Sequence, residues 1–154
     1  ANLLAHLSAT LQAAAGQTPA VAPLGGRETR LLMLVGHDSN LATLAGLLGL
    51  DWHDARQPDD YPPGGALVFD LVARNGQYSV QVASAMPSLA ALRAGRFDAP
   101  DAVIRRELTL PQCPGACTLA RFAAMADQAV DPREVQAAGN DEPPVVLTNP
   151  ATTP

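Results

Sequence analysis

Leu3, Leu4, Leu7 and Leu11 fall on one face of a helix with 3.6 residues per turn, so the first segment, Ala1 to Ala15, reads as an amphipathic α-helix. Gly16 to Thr29 breaks the pattern with Gly and Pro and reads as an exposed loop. The unbroken apolar run Leu31-Leu32-Met33-Leu34-Val35 then predicts a buried strand from Arg30 to Val35, closed by Gly36. Leu41, Leu44, Leu47 and Leu48 return to helical spacing over Asn40 to Leu48, with Ser39 placed to cap the N-terminus.

Gly49 to Gly65 holds Pro58, Pro62 and Pro63 and reads as a long loop, a kind of segment that often carries function in compact domains. Ala66 to Arg74 and Gln77 to Ala85 are rich in Val, Leu, Phe and Tyr, and Asn75-Gly76 between them is a two-residue hairpin signal. Pro87 can open a short helix through Ala94, Ala102 to Leu110 reads as extended, and Leu119 to Ala129 is again helical. Periodicity fades after Asp131. The organisation expected is one domain over residues 1–139 and a proline-rich tail over residues 140–154.

Composition narrows the function classes. At 154 residues, with 47% hydrophobic and 16% charged positions, the chain can bury a core and is no disordered tail. A net charge of −5 and the lack of a Lys/Arg run interleaved with aromatics exclude a nucleic-acid backbone as partner. No window approaches the ~20 apolar residues that span a bilayer, so no membrane is expected as partner. The first segment has no positive n-region and is interrupted by His6 and Ser8, unlike a signal peptide. There is no internal repeat, and no Gly-rich phosphate loop or GxSxG elbow.

Candidate chemistry concentrates at Gly36-His37-Asp38-Ser39-Asn40. An apolar strand that ends in Gly and delivers an imidazole, a carboxylate and an Asn to the start of a helix is a common active-site corner, because helix N-termini attract anions. Read from the pair alone, His37-Asp38 is first of all a side-chain pair that caps a helix or satisfies loop backbone.

Leu34-Val35-Gly36-His37-Asp38-Ser39-Asn40-Leu41-Ala42, followed by Gln57-Pro58-Asp59, Pro62-Pro63-Gly64-Gly65, Leu67-Val68-Phe69, Leu108-Thr109-Leu110 and Cys117-Thr118-Leu119 before Phe122, resembles the C-terminal half of the histidine acid phosphatases. The likeness runs from about Leu3 to about Ala129 and is strongest to the bacterial periplasmic branch of phytases and glucose-1-phosphatases. It implies an α/β fold of the histidine phosphatase, phosphoglycerate mutase-like type, in which this chain gives the strand bearing His37-Asp38, its helix, the hairpin and a disulfide loop. It also implies phosphate-monoester hydrolysis through a phosphohistidine, with no cofactor and no metal.

On that resemblance His37 hydrogen-bonds the phosphoryl group and Asp38 is the general acid that protonates the leaving oxygen, then helps activate the water. His37, Ser39 and Asn40 are the candidate substrate-binding residues; Asn40 either touches the substrate or organises the corner. The nucleophilic His belongs to an Arg-His-Gly-x-Arg-x-Pro motif that does not occur here. The expected partners are therefore a phosphate monoester, phytate or a sugar phosphate, and an N-terminal segment of the same enzyme. With its start at Ala1, the chain reads as the C-terminal portion of a larger protein.

Cys113 and Cys117 enclose only Pro114-Gly115-Ala116, and no second soft pair completes a zinc site. A disulfide is preferred over free thiols, and the resembled family has such a loop, which points to the periplasm or secretion. Two rival readings remain. His53-Asp54 repeats the dipeptide and suggests a metal-dependent phosphohydrolase, against which stand its loop position and the hairpin that follows. The other rival is a noncatalytic anion-binding module. His53 otherwise reads as a solvated loop residue, Arg27 and Arg30 as surface charges, and Arg105-Arg106 as a solvated strand edge.

Overall fold

Asn75 (φ 50°) and Gly76 (φ 76°) both take the left-handed conformation that a two-residue type I′ turn demands, and this turn folds the middle of the chain into a hairpin. The structure is a computed structural model and describes residues 2–135, so the proline-rich tail expected over residues 140–154 lies outside the described residues. The hairpin joins β1 (Ala66–Arg74) to β2 (Gln77–Pro87) in antiparallel register. β3 (Val103–Leu108) pairs with the far half of β2, and the short β4 (Cys117–Thr118) pairs with its near half at Ser79 and Val80.

Period-two alternation assigns the two faces of this sheet. Phe69, Val82 and Leu108 form one cross-strand row, Leu71 and Val80 a second, and Met86 and Ile104 a third, all packed in or against the core. The opposite face carries Asp70, Gln81, Arg105 and Glu107, with Arg105 Nη2 donating to Asp70 Oδ2 at 3.0 Å. The helix α4 (Leu119–Ala129) covers the apolar face with Leu119, Phe122, Met125 and Ala126, a stripe at helical spacing. Phe122 is fully buried and meets Phe69 edge to face at 6.1 Å. The helix α1 (Asn2–Ala14) lies against α4.

The segment after α1 is strapped back onto it. Thr10 Oγ1 accepts the Leu24 N–H at 2.8 Å, and His6, itself buried, places Nδ1 2.7 Å from the Ala22 carbonyl. A carbonyl can only accept, so the His6 proton sits on Nδ1. The helix α2 (Asp38–Leu48) inserts Leu44, Ala45 and Leu48 into the core and ends at Gly49, whose φ of 63° lets the Leu50 N–H return to Ala45 O at 2.9 Å. A short helix α3 (Leu89–Ala94) follows β2.

Most predicted elements are present, with α4 matching its predicted bounds, but three details differ. Arg30 to Val35 forms no strand. Leu31 is 74% exposed, Met33 62% and Val35 92%, and among the described residues the run makes no backbone hydrogen bond. A strand apolar on both faces needs both faces covered, and the run joins none of the four described strands, of which β1 and β3 are the edges of their sheet. Second, α2 begins at Asp38 with His37 as N-cap, so Ser39 lies inside the first turn. Third, Pro87 closes β2 rather than opening α3. The α3 cap is Ser88, whose Oγ accepts the Ala91 N–H at 3.2 Å.

Candidate active site

The four candidate residues His37, Asp38, Ser39 and Asn40 stand together at the N-terminus of α2, and all are exposed. Their order follows from the helix start. His37 has extended backbone, φ −102° and ψ 165°, and Asp38 is the first helical residue. A carboxylate in the first turn suits the helix dipole, and Asp38 Oδ1 accepts the Ser39 N–H at 2.7 Å. The Ser39 carbonyl accepts from Thr43 Oγ1 at 2.7 Å, while Asn40 Oδ1 accepts the His37 N–H at 2.8 Å. The corner thus presents an imidazole and a carboxylate from adjacent positions at a helix start, with the His37, Ser39 and Asn40 N–H groups bonded within the corner itself. An imidazole can donate to an anion and a carboxyl can pass it a proton, with the helix dipole in support.

Arg27 and Arg30 are exposed and make no ion pair among the described residues, in keeping with surface charges. The other expectation about arginines needs correction. Arg105 and Arg106 are engaged rather than simply solvated: Arg105 pairs with Asp70, and Arg106 Nη2 donates to Asp54 Oδ2 at 3.1 Å.

Asp54 also accepts from Arg56, through its backbone N–H at 3.0 Å and its side-chain Nε and Nη2 at 2.9 and 3.0 Å. Its side chain is only 8% exposed. The hydrogen bonds from Arg56, then that from Arg106, hold the Asp54 carboxyl well below the usual carboxylate range. The Arg56 carbonyl in turn accepts the Leu89 N–H at 2.9 Å, so the Gly49 to Gly65 loop is fastened to both β3 and α3. Gln57 completes the attachment: it is buried and donates to the Pro87 carbonyl at 2.9 Å. A turn of the form Asp54-Ala55-Arg56 is visible in sequence, but Arg106 lies 52 positions away and nothing local announces it.

His53 is exposed yet engaged, with Nδ1 2.8 Å from Asp60 Oδ1 and Nε2 3.4 Å from Asp51 Oδ1. The hydrogen bond to Asp60, and the charges of Asp60 and Asp51, raise its pKa above 6.5. Among the described residues no group of three or more His, Cys, Asp or Glu side chains is disposed to hold a metal ion. Cys113 and Cys117 form the preferred disulfide, with Cα atoms 5.3 Å apart, and both are buried. No helix among the described residues is long and apolar enough to cross a membrane.

The chain and its fold have relatives among known proteins. No protein-family profile matches the chain, but its sequence and its fold both match parts of histidine acid phosphatases, as its motif series implies. Within that class the relatives found are bacterial phytases. The chain is 37% identical over 112 residues to the phytase AppA of Escherichia coli (strain K12), a match covering 66% of this chain and 25% of that protein. The apo Hafnia alvei phytase superposes with a TM-score of 0.72 at 32% identity, over 85% of this chain and 33% of its own. The same phytase solved with myo-inositol hexakis sulphate gives 0.72 at 31%, and the Citrobacter braakii phytase gives 0.69 at 29% over 84% of this chain and 34% of its own. The chain therefore spans a quarter to a third of the length of these relatives.

Proposed function

We propose that this chain supplies the His-Asp half of a metal-independent acid phosphatase active site, which hydrolyses phosphate monoesters through a phosphohistidine carried by an N-terminal segment of the same enzyme. The observation that carries the reading is the joint presence of His37 and Asp38 at an exposed helix N-terminus in a chain 37% identical to a phytase over 112 residues. His37 donates to a phosphoryl oxygen. Asp38 gives its proton to the leaving oxygen as the P–O bond breaks, and as carboxylate it then takes a proton from the water that attacks the phosphohistidine. Ser39 and the amide nitrogen of Asn40 complete the rim of the anion site.

The relatives support inositol phosphates as the first substrates to test, with sugar phosphates second. The disulfide supports a periplasmic or secreted setting. The test is phosphate release from phytate and from glucose 1-phosphate, measured on this chain alone and on the complete polypeptide that includes an Arg-His-Gly-x-Arg-x-Pro segment. The expected result is turnover only with that segment, resistant to chelator, optimal in acid, and much slower in Asp38→Asn on alkyl phosphates than on aryl phosphates. Turnover that a chelator abolishes, or that ignores Asp38→Asn on poor leaving groups, overturns the reading. Phosphate binding without turnover in the complete polypeptide favours the anion-binding module.

A further inference from the structure

Asn40 is bonded to His37 twice through the His37 main chain. Asn40 Oδ1 accepts the His37 N–H at 2.8 Å, and the Asn40 N–H donates to the His37 carbonyl at 3.0 Å. Both main-chain groups of His37 are thereby tied to one residue. The space for this is specific: a Cβ built on Gly36 would lie 3.2 Å from Asn40 Cγ and 2.6 Å from its Oδ1, the latter closer than a Cβ atom approaches another heavy atom. Gly36 has no positive φ to explain it. Its requirement here is room for the Asn40 carboxamide.

We infer that Asn40 is a positioning residue, whose side-chain oxygen locks the His37 main chain while Gly36 exists to admit that oxygen. With the His37 backbone fixed, the imidazole and the adjoining Asp38 carboxylate leave the chain from set origins, and Asp38 is steadied further by the Ser39 N–H at 2.7 Å. The Asn40 oxygen is committed to His37 and is not offered to a substrate donor. This deepens the active-site proposal and rests on it for its functional meaning, but the lock itself is a property of the chain and can be tested without turnover.

The test follows the His37 amide proton by NMR, in chemical shift and exchange rate, together with the folding equilibrium, in Asn40→Ala, Asn40→Asp, Gly36→Ala and the Gly36→Ala/Asn40→Ala double variant. Asn40→Ala is expected to move the His37 amide to a solvent-bonded shift, to speed its exchange about tenfold or more, and to lower the folding constant roughly fivefold, the usual effect of a lost helix cap. Asn40→Asp keeps an acceptor at the same place and restores the His37 signal. Gly36→Ala expels the carboxamide and reproduces the Asn40→Ala signal. The double variant is no worse than Asn40→Ala, because the clash partner is gone.

A His37 amide indifferent to Asn40→Ala, or additive losses in the double variant, overturns the inference. In the complete polypeptide Asn40→Ala is expected to lower kcat with KM little changed. If the lock is found but the phosphatase assay fails, the active-site reading falls and the lock stands. Turnover without the lock gives the reverse.

Discussion

His53 Nδ1 and Asp60 Oδ1 stand 2.8 Å apart, and the carbonyl of the same Asp60 accepts the indole N–H of Trp52 at 3.0 Å. Asp60 thus joins a titratable side chain to the chain's one tryptophan. Trp52 is buried and packs edge to face on Tyr61 at 5.3 Å, so it reports on the order of the Gly49 to Gly65 loop that follows α2.

A pH dependence follows from this arrangement. Protonation lets both His53 nitrogens donate, one to Asp60 and one to Asp51, and the folded pKa is raised above 6.5 chiefly by the bond to Asp60. A raised histidine value means the contribution is complete below the unfolded value, about 6.5, and is lost as pH rises through the folded one. Trp52 fluorescence is expected to shift as pH is raised through and beyond about 6.5. His53→Asn should abolish that transition and leave the fold intact, since the pair is exposed and of small energetic weight. A transition that persists in His53→Asn places its origin elsewhere.

Asp54 should behave in the opposite sense. Its carboxyl is depressed by Arg56 first and Arg106 after, so its stabilisation is present above the unfolded carboxylate value, about 4, and declines as pH falls toward the folded one. Asp54→Asn is expected to lower Tm by a constant amount between about pH 5 and 8, with the gap to wild type narrowing below about pH 4. It should also cost more than Arg56→Ala or Arg106→Ala singly, because it strands both guanidinium groups at once. Melting curves across this range decide it. Equal losses in the three variants contradict a shared clamp.

How much of this was legible in the sequence depends on how far apart the deciding residues lie. The hairpin is announced by Asn75-Gly76 alone, and α4 by a stripe of four apolar residues closed by Thr118, whose Oγ1 accepts the Arg121 N–H at 3.3 Å. The corner residues were legible as a cluster, but the choice of cap was not. His37 and Ser39 are both able to cap, and the decision falls to Asn40, whose side chain reaches back to the His37 amide. The Asp54 clamp was hidden because its two arginines come from different parts of the chain, one two positions away in the same loop and one 52 positions away on β3. Arg30 to Val35 failed as a strand for the clearest reason: apolar content says what a segment needs, and only neighbours supply it.

That run supports a direct measurement. With Leu31, Met33 and Val35 more than half exposed and their backbone unpaired among the described residues, amides 31–36 should exchange within seconds while those of β2 are protected. The chain should bind a hydrophobic dye and self-associate at high concentration, as exposed apolar runs do. Met33→Lys with Val35→Lys is expected to suppress both without altering the circular dichroism of the folded chain. Protected amides at 31–36 in monomeric protein would contradict the exposed arrangement.

The disulfide gives the last test, and here the size of the loop fixes the magnitude. Cys113 and Cys117 are four positions apart, so the bond closes a short loop and removes correspondingly little freedom from the unfolded chain. Chain-entropy reasoning puts its contribution at about 2 kcal/mol, below that of a long-range bridge. Both sulfur-bearing residues are buried, and Cys117 pairs with Val80 at the start of β4, immediately before α4. Cys113→Ser/Cys117→Ser should therefore lose that stability and also loosen β4, read as faster amide exchange at Ser79 and Val80 with little change in the β1–β2 ladder beyond Val82. A double variant that exchanges uniformly faster along all of β2 would show the bridge stabilising the whole sheet rather than this one edge.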